Sequence, residues 1–309
     1  MSIENYNDAI KAIKDALDFL NNYAMIETIA KNEIGSKDET IEKDEFEQLK
    51  SLLKSPSWPE AVPDYLICKK TDDEDKMDRA YGIIEMVNYI LKNEINNSIF
   101  KELKNKKILD FGCGEGHLTK ALAEMGANSF GFDIEKQGDL IWEEEKENGL
   151  ITTDWEKIKE EKDFDIVILY DVLDHSVDPI DVLNKVKEVS SYSTYIFCRC
   201  HPWTSPHAGH YYQEINKAYI QFIFTEDEII KLGLKPIFSQ KTYLPLNHNE
   251  KWFKATGLRS IYHSMQKVEV SNFFKSNKII EKRLSSPEYE RSFPEWQMSQ
   301  AFNDYVLSM

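Results

Sequence analysis

The segment KKILDFGCGEGHLTKAL, residues 106–122, decides the fold of this chain. It begins with a short apolar run that predicts a buried strand, and it ends with the spacing of a helix. Between the two lie Gly112, Gly114 and Gly116. Glycines let the backbone turn tightly and approach a ligand where a Cβ atom would clash. A strand, a glycine-rich turn and a helix in this order therefore indicate a binding site at the turn.

Short apolar runs alternate with helix-like stretches downstream of Lys106. The runs are ILDF, SFGFDI, GLITT, DIVILY and STYIFC, and the stretches between them include HLTKALAEMG and IDVLNKVKEVS. Such alternation is typical of βαβ units with right-handed crossovers. It predicts an α/β domain with a doubly wound, mostly parallel sheet. Two later strands are expected at 234–244 and 264–274, whereas 285–309 is aromatic but has no clear pattern.

The chain before this domain is expected to be helical. Apolar residues at three- and four-residue steps predict one helix within 3–34, and a second is expected at 37–54. The segment SPSWPEAVPDY, residues 55–65, carries three prolines and cannot continue a helix. An amphipathic helix is predicted again at 80–93. The predicted division is a helical N-terminal extension or cap, an α/β domain and a C-terminal tail, at 1–79, 80–275 and 276–309.

The composition excludes several classes of protein. Of the 309 residues 41% are hydrophobic, which is enough for a large core. An excess of 54 acidic over 38 basic residues gives a net charge of −16, which disfavours broad contact with nucleic acid or anionic membranes. The four cysteines form no disulfide framework, and the start MSIENYNDAI lacks the basic head and apolar run of a signal peptide. We expect a soluble, cytoplasmic protein.

Two residues around the glycine-rich turn distinguish between cofactors. The turn by itself is shared by proteins that bind nicotinamide, flavin or S-adenosylmethionine. The dinucleotide pattern requires its third glycine where this chain has His117. Asp110 stands two residues before the first glycine, where dinucleotide binders usually keep an apolar residue. A carboxylate suits a ligand that carries an ammonium group better than one that carries a pyrophosphate.

The pattern D-x-G-x-G-x-G at 110–116 resembles motif I of the class I S-adenosylmethionine-dependent methyltransferases. In that family the first acid lies near the ammonium end of the cofactor. Asp133 ends the next strand, where an acid of the family accepts the ribose hydroxyls. Asp154, between Thr153 and Trp155, resembles the acid that meets adenine, although a helix N-cap explains it equally well.

The segment FDIVILYDVLDHSVDP, residues 164–179, resembles the part of the family that follows the fourth strand, with Asp174 where many relatives have glutamate. The resemblance covers 80–275 and implies a seven-stranded sheet whose last strand is antiparallel. It also implies that S-adenosylmethionine is the cofactor. The residues expected to contact it are Asp110, Gly112, Cys113, Gly114, Gly116, Asp133, Ile134, Asp154, Trp155 and Tyr170.

The stretch CRCHPWTSPHAGHYY, residues 198–212, is expected to be the fifth strand and the loop that leaves its carboxyl end. Open α/β sheets bind ligands at that edge. Cys198 and Cys200 share one face of the strand, and burial explains them better than structural zinc. The loop and the end of the fourth strand should both overhang the transferred methyl group. The candidate bases are His175, His201, His207 and His210, although a structural hydrogen-bonding role is commoner for any one of them.

A metal-dependent reaction is the alternative for these residues. Asp171, Asp174 and His175 resemble the acid-x-x-acid-His arrangement of the small-RNA 2′-O-methyltransferases, and His207 or His210 would add a further ligand. Carboxylates and imidazoles together suit a divalent ion. Two departures weaken the alternative, because aspartates reach less far than glutamates and a net charge of −16 is unfavourable for RNA binding.

The sequence thus predicts a methyltransferase that acts on an O, N or C nucleophile, with a small molecule as the expected acceptor. Motifs of amino-methylating DNA or glutamine enzymes and of C5-pyrimidine enzymes do not occur in the sequence. A protein that keeps the fold as a binding or structural module without catalysis stays open. The segment 245–309 is expected to line the pocket or to form a homodimer contact, and no membrane partner is expected.

Overall fold

The computed structural model describes residues 38–63, 73–95, 102–137, 150–202, 204–235, 247–285 and 298–309. The chain divides into two compact units, residues 1–56 and 57–309. In the first unit the helix α1, Asp38–Leu53, confirms the helix expected at 37–54. The helix predicted within 3–34 lies outside the described residues. In the described part of the chain, no helix is long and apolar enough to cross a membrane.

A seven-stranded sheet forms the centre of the second unit. Its strands are β1 Lys107–Phe111, β2 Asn128–Phe132, β3 Leu150–Thr152, β4 Ile166–Tyr170, β5 Tyr195–Cys200, β6 Arg259–Lys267 and β7 Gln300–Ser308. Their order in the sheet is β3-β2-β1-β4-β5-β7-β6. The first five are parallel, and β7 is antiparallel to both of its neighbours. The predicted doubly wound, mostly parallel sheet is confirmed.

Helices precede, connect and follow these strands in the second unit. They are α2 Asp73–Tyr89, α3 His117–Glu124, α4 Trp155–Glu161, α5 Pro179–Glu188, α6 Ile220–Ile223, α7 Glu226–Lys231, α8 Asn247–Thr256, α9 Asn272–Ser276 and α10 Lys278–Ser285. The helix expected at 80–93 corresponds to α2 and the π-helical turn Ile90–Glu94 that follows it. Local sequence explains the start of α5, because Pro179 suits the first helical position and the Asp178 carboxylate accepts two backbone N–H groups there.

Two buried clusters, one on each face of the sheet, form the core. Successive residues of a strand point to opposite faces, so β4 sends Ile166 and Ile168 to one cluster and Val167 and Leu169 to the other. The helices α2 and α3 pack in the first cluster, and α4, α5 and α8 pack in the second. This two-sided burial explains why the predicted strands read as continuous apolar runs.

The last two strands differ from the sequence prediction. The strand expected at 264–274 ends at Lys267, and α9 begins at Asn272 with Ser271 as its N-cap. The seventh strand is 300–308, which the sequence analysis left without a pattern in the tail 276–309. It was missed because β7 is buried on both faces, so it shows no alternation of polar and apolar residues. Most of the strand expected at 234–244 lies outside the described residues.

A buried ion pair holds β7 against β5. Arg199 donates from Nε to Asp304 Oδ1 at 2.6 Å and from Nη2 to Oδ2 at 2.7 Å, and both side chains are buried. The two residues are also register partners in the ladder. A two-point contact of this kind fixes both orientation and register.

We expect Asp304→Asn to lower the free energy of unfolding by about 3–5 kcal/mol, because the guanidinium of Arg199 would stay buried without its counter-charge. Urea unfolding measures this change. Asp181→Asn is the control, since Asp181 forms an exposed pair with Lys185 at 3.0 Å and loss of such pairs costs well under about 1 kcal/mol. Equal effects of the two substitutions would contradict the structure at β7.

Candidate functional site

The glycine-rich bend lies at the carboxyl end of β1. Gly112 has φ of +79°, and a Cβ atom built on it would lie 2.6 Å from Val172 Cγ2. Both the left-handed backbone and the close approach of Val172 therefore require glycine at this position. The N–H groups of Gly112 and Cys113 both donate to the carbonyl of Phe132. These bonds anchor the bend to the end of β2.

A carboxylate stands on each side of the bend. Asp133, at the end of β2, accepts the N–H of Gly114 through Oδ2 at 2.8 Å. Asp110, in β1, accepts the hydroxyl of Thr119 through Oδ2 at 2.8 Å. Burial raises the pKa of the Asp110 carboxyl to about 7, even though the hydrogen bond from Thr119 lowers it.

The other residues predicted to contact a cofactor surround the same edge of the sheet. Ile134 follows Asp133 and is 81% exposed, which is unusual for an isoleucine beside a bend of this kind. The ring of Trp155 packs edge-on against Phe132 with centroids 5.0 Å apart. Asp154 is the N-cap of α4, and its carboxylate accepts the N–H of Glu156 at 3.1 Å. The helix N-cap that the sequence offered as one explanation of Asp154 is therefore present. Cys113 is buried, and burial raises the pKa of its thiol.

Four side chains from the loops that follow β4 and β5 form a tight group. They are Asp174, His175, His201 and His210, and one possible ligand atom from each lies within 4.8 Å of the others. His201 Nε2 is 3.0 Å from Asp174 Oδ2 and 2.9 Å from His210 Nε2. His175 Nε2 is 3.7 Å from the same oxygen of Asp174. Among the described residues, the buried carboxylate of Asp174 has no hydrogen-bond partner of good geometry.

The imidazoles of His201 and His210 in this group, and that of the neighbouring His207, differ in their pKa. Burial lowers the pKa of His201, but the charges and hydrogen bonds of Asp174 and Asp171 outweigh burial and raise it to about 10. Burial, followed by the charge of His201, lowers the pKa of His207 to about 3 and that of His210 to about 2. His201 is therefore the imidazole that holds a proton near neutral pH, beside the carboxylates of Asp174 and Asp171.

A cavity of about 580 Å³ opens beside the histidines. One wall is a face of α2 that includes Asp75, Asp78, Arg79, Gly82, Ile83 and Met86. The wall formed by the sheet and its loops includes Tyr170, Asp171, Arg199, His201, His207, His210, Tyr212, Gln266 and Phe302. A cavity of this size is typical of a site for a small molecule.

Ion pairs tie α2 to both halves of the site. Lys76 Nζ lies 2.5 Å from Glu115 Oε2 in the glycine-rich bend. Arg79 Nη2 lies 3.8 Å from Asp171 Oδ2, at the end of β4. The glycine-rich bend and the cavity are therefore connected through one helix.

The structure brings most of the predicted site residues together at one edge of the sheet. His201, His207 and His210 line the cavity, whereas His175 does not and is partly exposed. Asp174 and His175 of the predicted ligand set lie in the four-residue group, but Asp171 and His207 are not part of it. The sequence did not lead us to the cavity residues of α2, or to Arg199, Gln266 and Phe302. The helical spacing of residues 75–86 could have indicated the residues of α2, whereas no pattern in the sequence indicated that Phe302 lies at the cavity.

Comparison with known proteins adds to this geometry. A family model described as "Methyltransferase domain" matches residues 102–241, which contain the glycine-rich bend and both carboxylates. The seven strands and the antiparallel last strand agree with the sheet that the resemblance to the class I enzymes implies. Residues 102–241 thus match a family of methyltransferase domains.

Curated proteins similar to this chain are named ubiquinone biosynthesis O-methyltransferase. The protein of Hydrogenovibrio crunogenus is 24% identical over 169 residues, which are 52% of this chain and 64% of the relative. The protein of Pelagibacter ubique is 31% identical over 108 residues, which are 32% of this chain and 45% of the relative. The chain thus spans less than two thirds of the length of these relatives.

Solved structures similar to this chain include two methyltransferases. The plantazolicin methyltransferase BamL, in complex with a triazolic desmethylPZN analog and SAH, is 15% identical with a TM-score of 0.45, and the match covers 76% of this chain and 86% of that chain. The magnesium protoporphyrin IX methyltransferase of Synechocystis, with bound SAH, is 15% identical with a TM-score of 0.41, covering 78% and 89%.

The raised pKa of Asp110 predicts a pH-dependent stability of the methyltransferase domain. The folded protein holds this proton more tightly than the unfolded chain, so the contribution is fully present below about pH 4 and is lost as the pH rises through about 7. Relative to Asp110→Asn, which carries no charge, the wild type should lose on the order of 3 kcal/mol between pH 4.5 and pH 8. Urea unfolding of both proteins across this range measures the difference. Parallel pH profiles would show that Asp110 does not have the raised pKa.

Proposed function

We propose that this chain transfers a methyl group from S-adenosylmethionine to a small molecule bound in the cavity beside the histidines. The observation that carries the proposal is a bend that requires glycine, with the carboxylates of Asp110 and Asp133 on either side of it. The bend and the cavity lie at the carboxyl ends of neighbouring parallel strands, where open α/β sheets bind ligands.

The residues around the bend fit the parts of this cofactor. The carboxylate of Asp133 has further acceptor capacity for the two ribose hydroxyls. The exposed side chain of Ile134 offers an apolar surface that an adenine ring would cover. The cost of a buried charge on Asp110 would be offset by an ammonium group nearby. When bound, the cofactor supplies an electrophilic methyl group on a sulfonium centre.

The chain's own residues would position the acceptor and remove its proton. Methyl transfer is an in-line displacement, so the main task of the protein is to hold the nucleophile in the right geometry. His207 is the best-placed base, because it is buried, lines the cavity and has no hydrogen-bond partner for Nε2 among the described residues. Its lowered pKa keeps the imidazole neutral, so Nε2 has a lone pair that can accept a hydrogen bond from the acceptor, while the same shift makes His207 a weak base. His201 and His210 would hold His207 and the acceptor in place.

Asp133→Asn should weaken the binding of S-adenosylmethionine by about 10- to 100-fold, because hydrogen bonds to a charged acceptor contribute about 1.5–3 kcal/mol. Isothermal titration calorimetry measures this affinity. Glu135→Gln is the matched control, since Glu135 is an exposed acid two residues further on and its loss should change the affinity less than about twofold.

Absence of binding to the wild type would overturn the proposal. Binding without transfer of labelled methyl to any acceptor in fractionated extracts would favour the alternative of a binding or structural module. Mass spectrometry of the labelled products identifies the acceptor in the remaining case.

A metal-dependent enzyme is the second candidate, and the group Asp174, His175, His201 and His210 favours it. Three imidazoles and one carboxylate converge there, and the buried Asp174 carboxylate is left without a hydrogen bond among the described residues. This donor set fits a divalent transition metal such as zinc or manganese. A bound ion would lie at the wall of the cavity and orient oxygen atoms of the acceptor.

Equilibrium dialysis against zinc and manganese, followed by elemental analysis, tests this candidate. One ion per chain is expected for the wild type, and His210→Ala should lose it. His263→Ala is the control, because His263 stacks on Tyr305 outside the group and its removal should leave the ion bound. No ion bound at millimolar supply would exclude the metal-dependent enzyme while leaving the methyltransferase proposal standing.

We also propose that the protein is cytoplasmic and that it forms a homodimer. Residues 1–79 are proposed to be a cap on the site, and residues 276–309 a C-terminal tail. Light scattering of the purified protein tests the dimer. The net charge of −16 supports a small-molecule acceptor over a nucleic acid.

A further inference from the structure

The cavity face of α2 changes its chemistry at Gly82. The residues on this face recur at three- and four-residue steps, so they form one stripe along the helix. Its first half is charged, with Asp75, Asp78 and Arg79, and its second half is apolar, with Ile83 and Met86. Gly82 stands between the two halves and leaves a notch in the wall of the cavity.

The fold itself gives no reason for a glycine at this position. Gly82 lies inside α2, and it is not among the glycines with a positive φ. A Cβ atom built on it would meet no described atom within 4 Å. Glycine in a helix interior costs about 1 kcal/mol relative to alanine. Gly82 is exposed and lines the cavity, so the chain gives up helix stability at a point where a side chain would project into open space at the rim of the cavity.

Aromatic rings dominate the part of the cavity formed by the sheet. The ring of Phe302 lies 4.7 Å from the imidazole of His207 and 4.9 Å from the guanidinium of Arg199. Arg199 also lies 5.4 Å from the ring of Tyr170, so both rings are held in place by one buried cation. Aromatic walls of this kind pack well against a flat ring.

We propose that Gly82 is a specificity-determining residue, and that the acceptor is an aromatic compound whose ring lies directly on the backbone of α2 at this notch. Its apolar edge would contact Ile83 and Met86, and its methyl-accepting group would face His207. This inference rests on the proposed methyl transfer for its function, but the shape of the notch can be tested without turnover.

The test compares Gly82→Ala and Gly82→Leu with the wild type, using the neutral fluorescent probe N-phenyl-1-naphthylamine. Glu85→Leu is the matched control, because Glu85 is exposed on α2 and does not line the cavity. We expect the probe to bind about threefold more weakly to Gly82→Ala and at least about tenfold more weakly to Gly82→Leu, and within about twofold of wild type to Glu85→Leu.

The melting temperature is a second measurement. If Gly82 had a purely structural role, its substitution would lower the melting temperature together with the affinity for the probe. Gly82→Ala should melt about 1–3 °C higher than the wild type, because alanine favours the helix. Higher stability together with weaker probe binding supports the proposal. Unchanged probe binding by Gly82→Leu, equal weakening by Glu85→Leu, or no probe binding by the wild type would each overturn it.

Calorimetry with S-adenosylmethionine on the same variants separates this inference from the proposed function. The affinity for the cofactor should be the same in Gly82→Leu and in the wild type. If the wild type binds the probe at Gly82 but does not bind the cofactor, the proposed function is wrong, whereas the proposal that a ring binds against α2 at Gly82 is supported.

Discussion

The buried pair of Arg199 and Asp304 lies within the ladder that joins β7 to the five parallel strands. It fixes the register of an antiparallel strand against the last of five parallel strands. The same guanidinium contacts the rings of Tyr170 and Phe302 at the wall of the cavity. A charge taken out of water is costly unless it is fully paired, so neither residue tolerates a shift of the strand. The shape of the cavity depends on this constraint.

The strand order then determines which side chains meet. The carboxyl ends of β1 and β2 carry Asp110 and Asp133, and those of β4 and β5 carry the acids and histidines of the cavity. Because β1 and β4 are neighbours, the two sets lie side by side. The helix α2 reaches both, through Lys76 at the bend and Arg79 at the end of β4. The same helix therefore contacts both sets of residues.

The sequence was sufficient wherever the local pattern and the final environment agree. β1 to β5 are short apolar runs between turns, and these runs predicted the strands. The three glycines at 112–116 were enough to predict the bend. The histidine loop was expected at the correct edge because parallel strands end together. β7 was not predictable in this way, since Asn303 and Asp304 interrupt its apolar run and their partners His263 and Arg199 are distant in sequence. The choice of His210 over His207 beside Asp174 follows from the loop conformation, with His210 at φ of +51°.

The central place of β7 also bears on how the protein is made. Residues 300–308 lie between β5 and β6, and within the described residues β6 pairs with no other strand. On the ribosome, β1 to β5 can assemble early, but the gap beside β5 stays open until these residues have left the exit tunnel. The wall that carries Phe302 is then added last. A chain interrupted shortly before this point lacks both Phe302 and the strand that pairs with β5, so this wall of the cavity is incomplete in it.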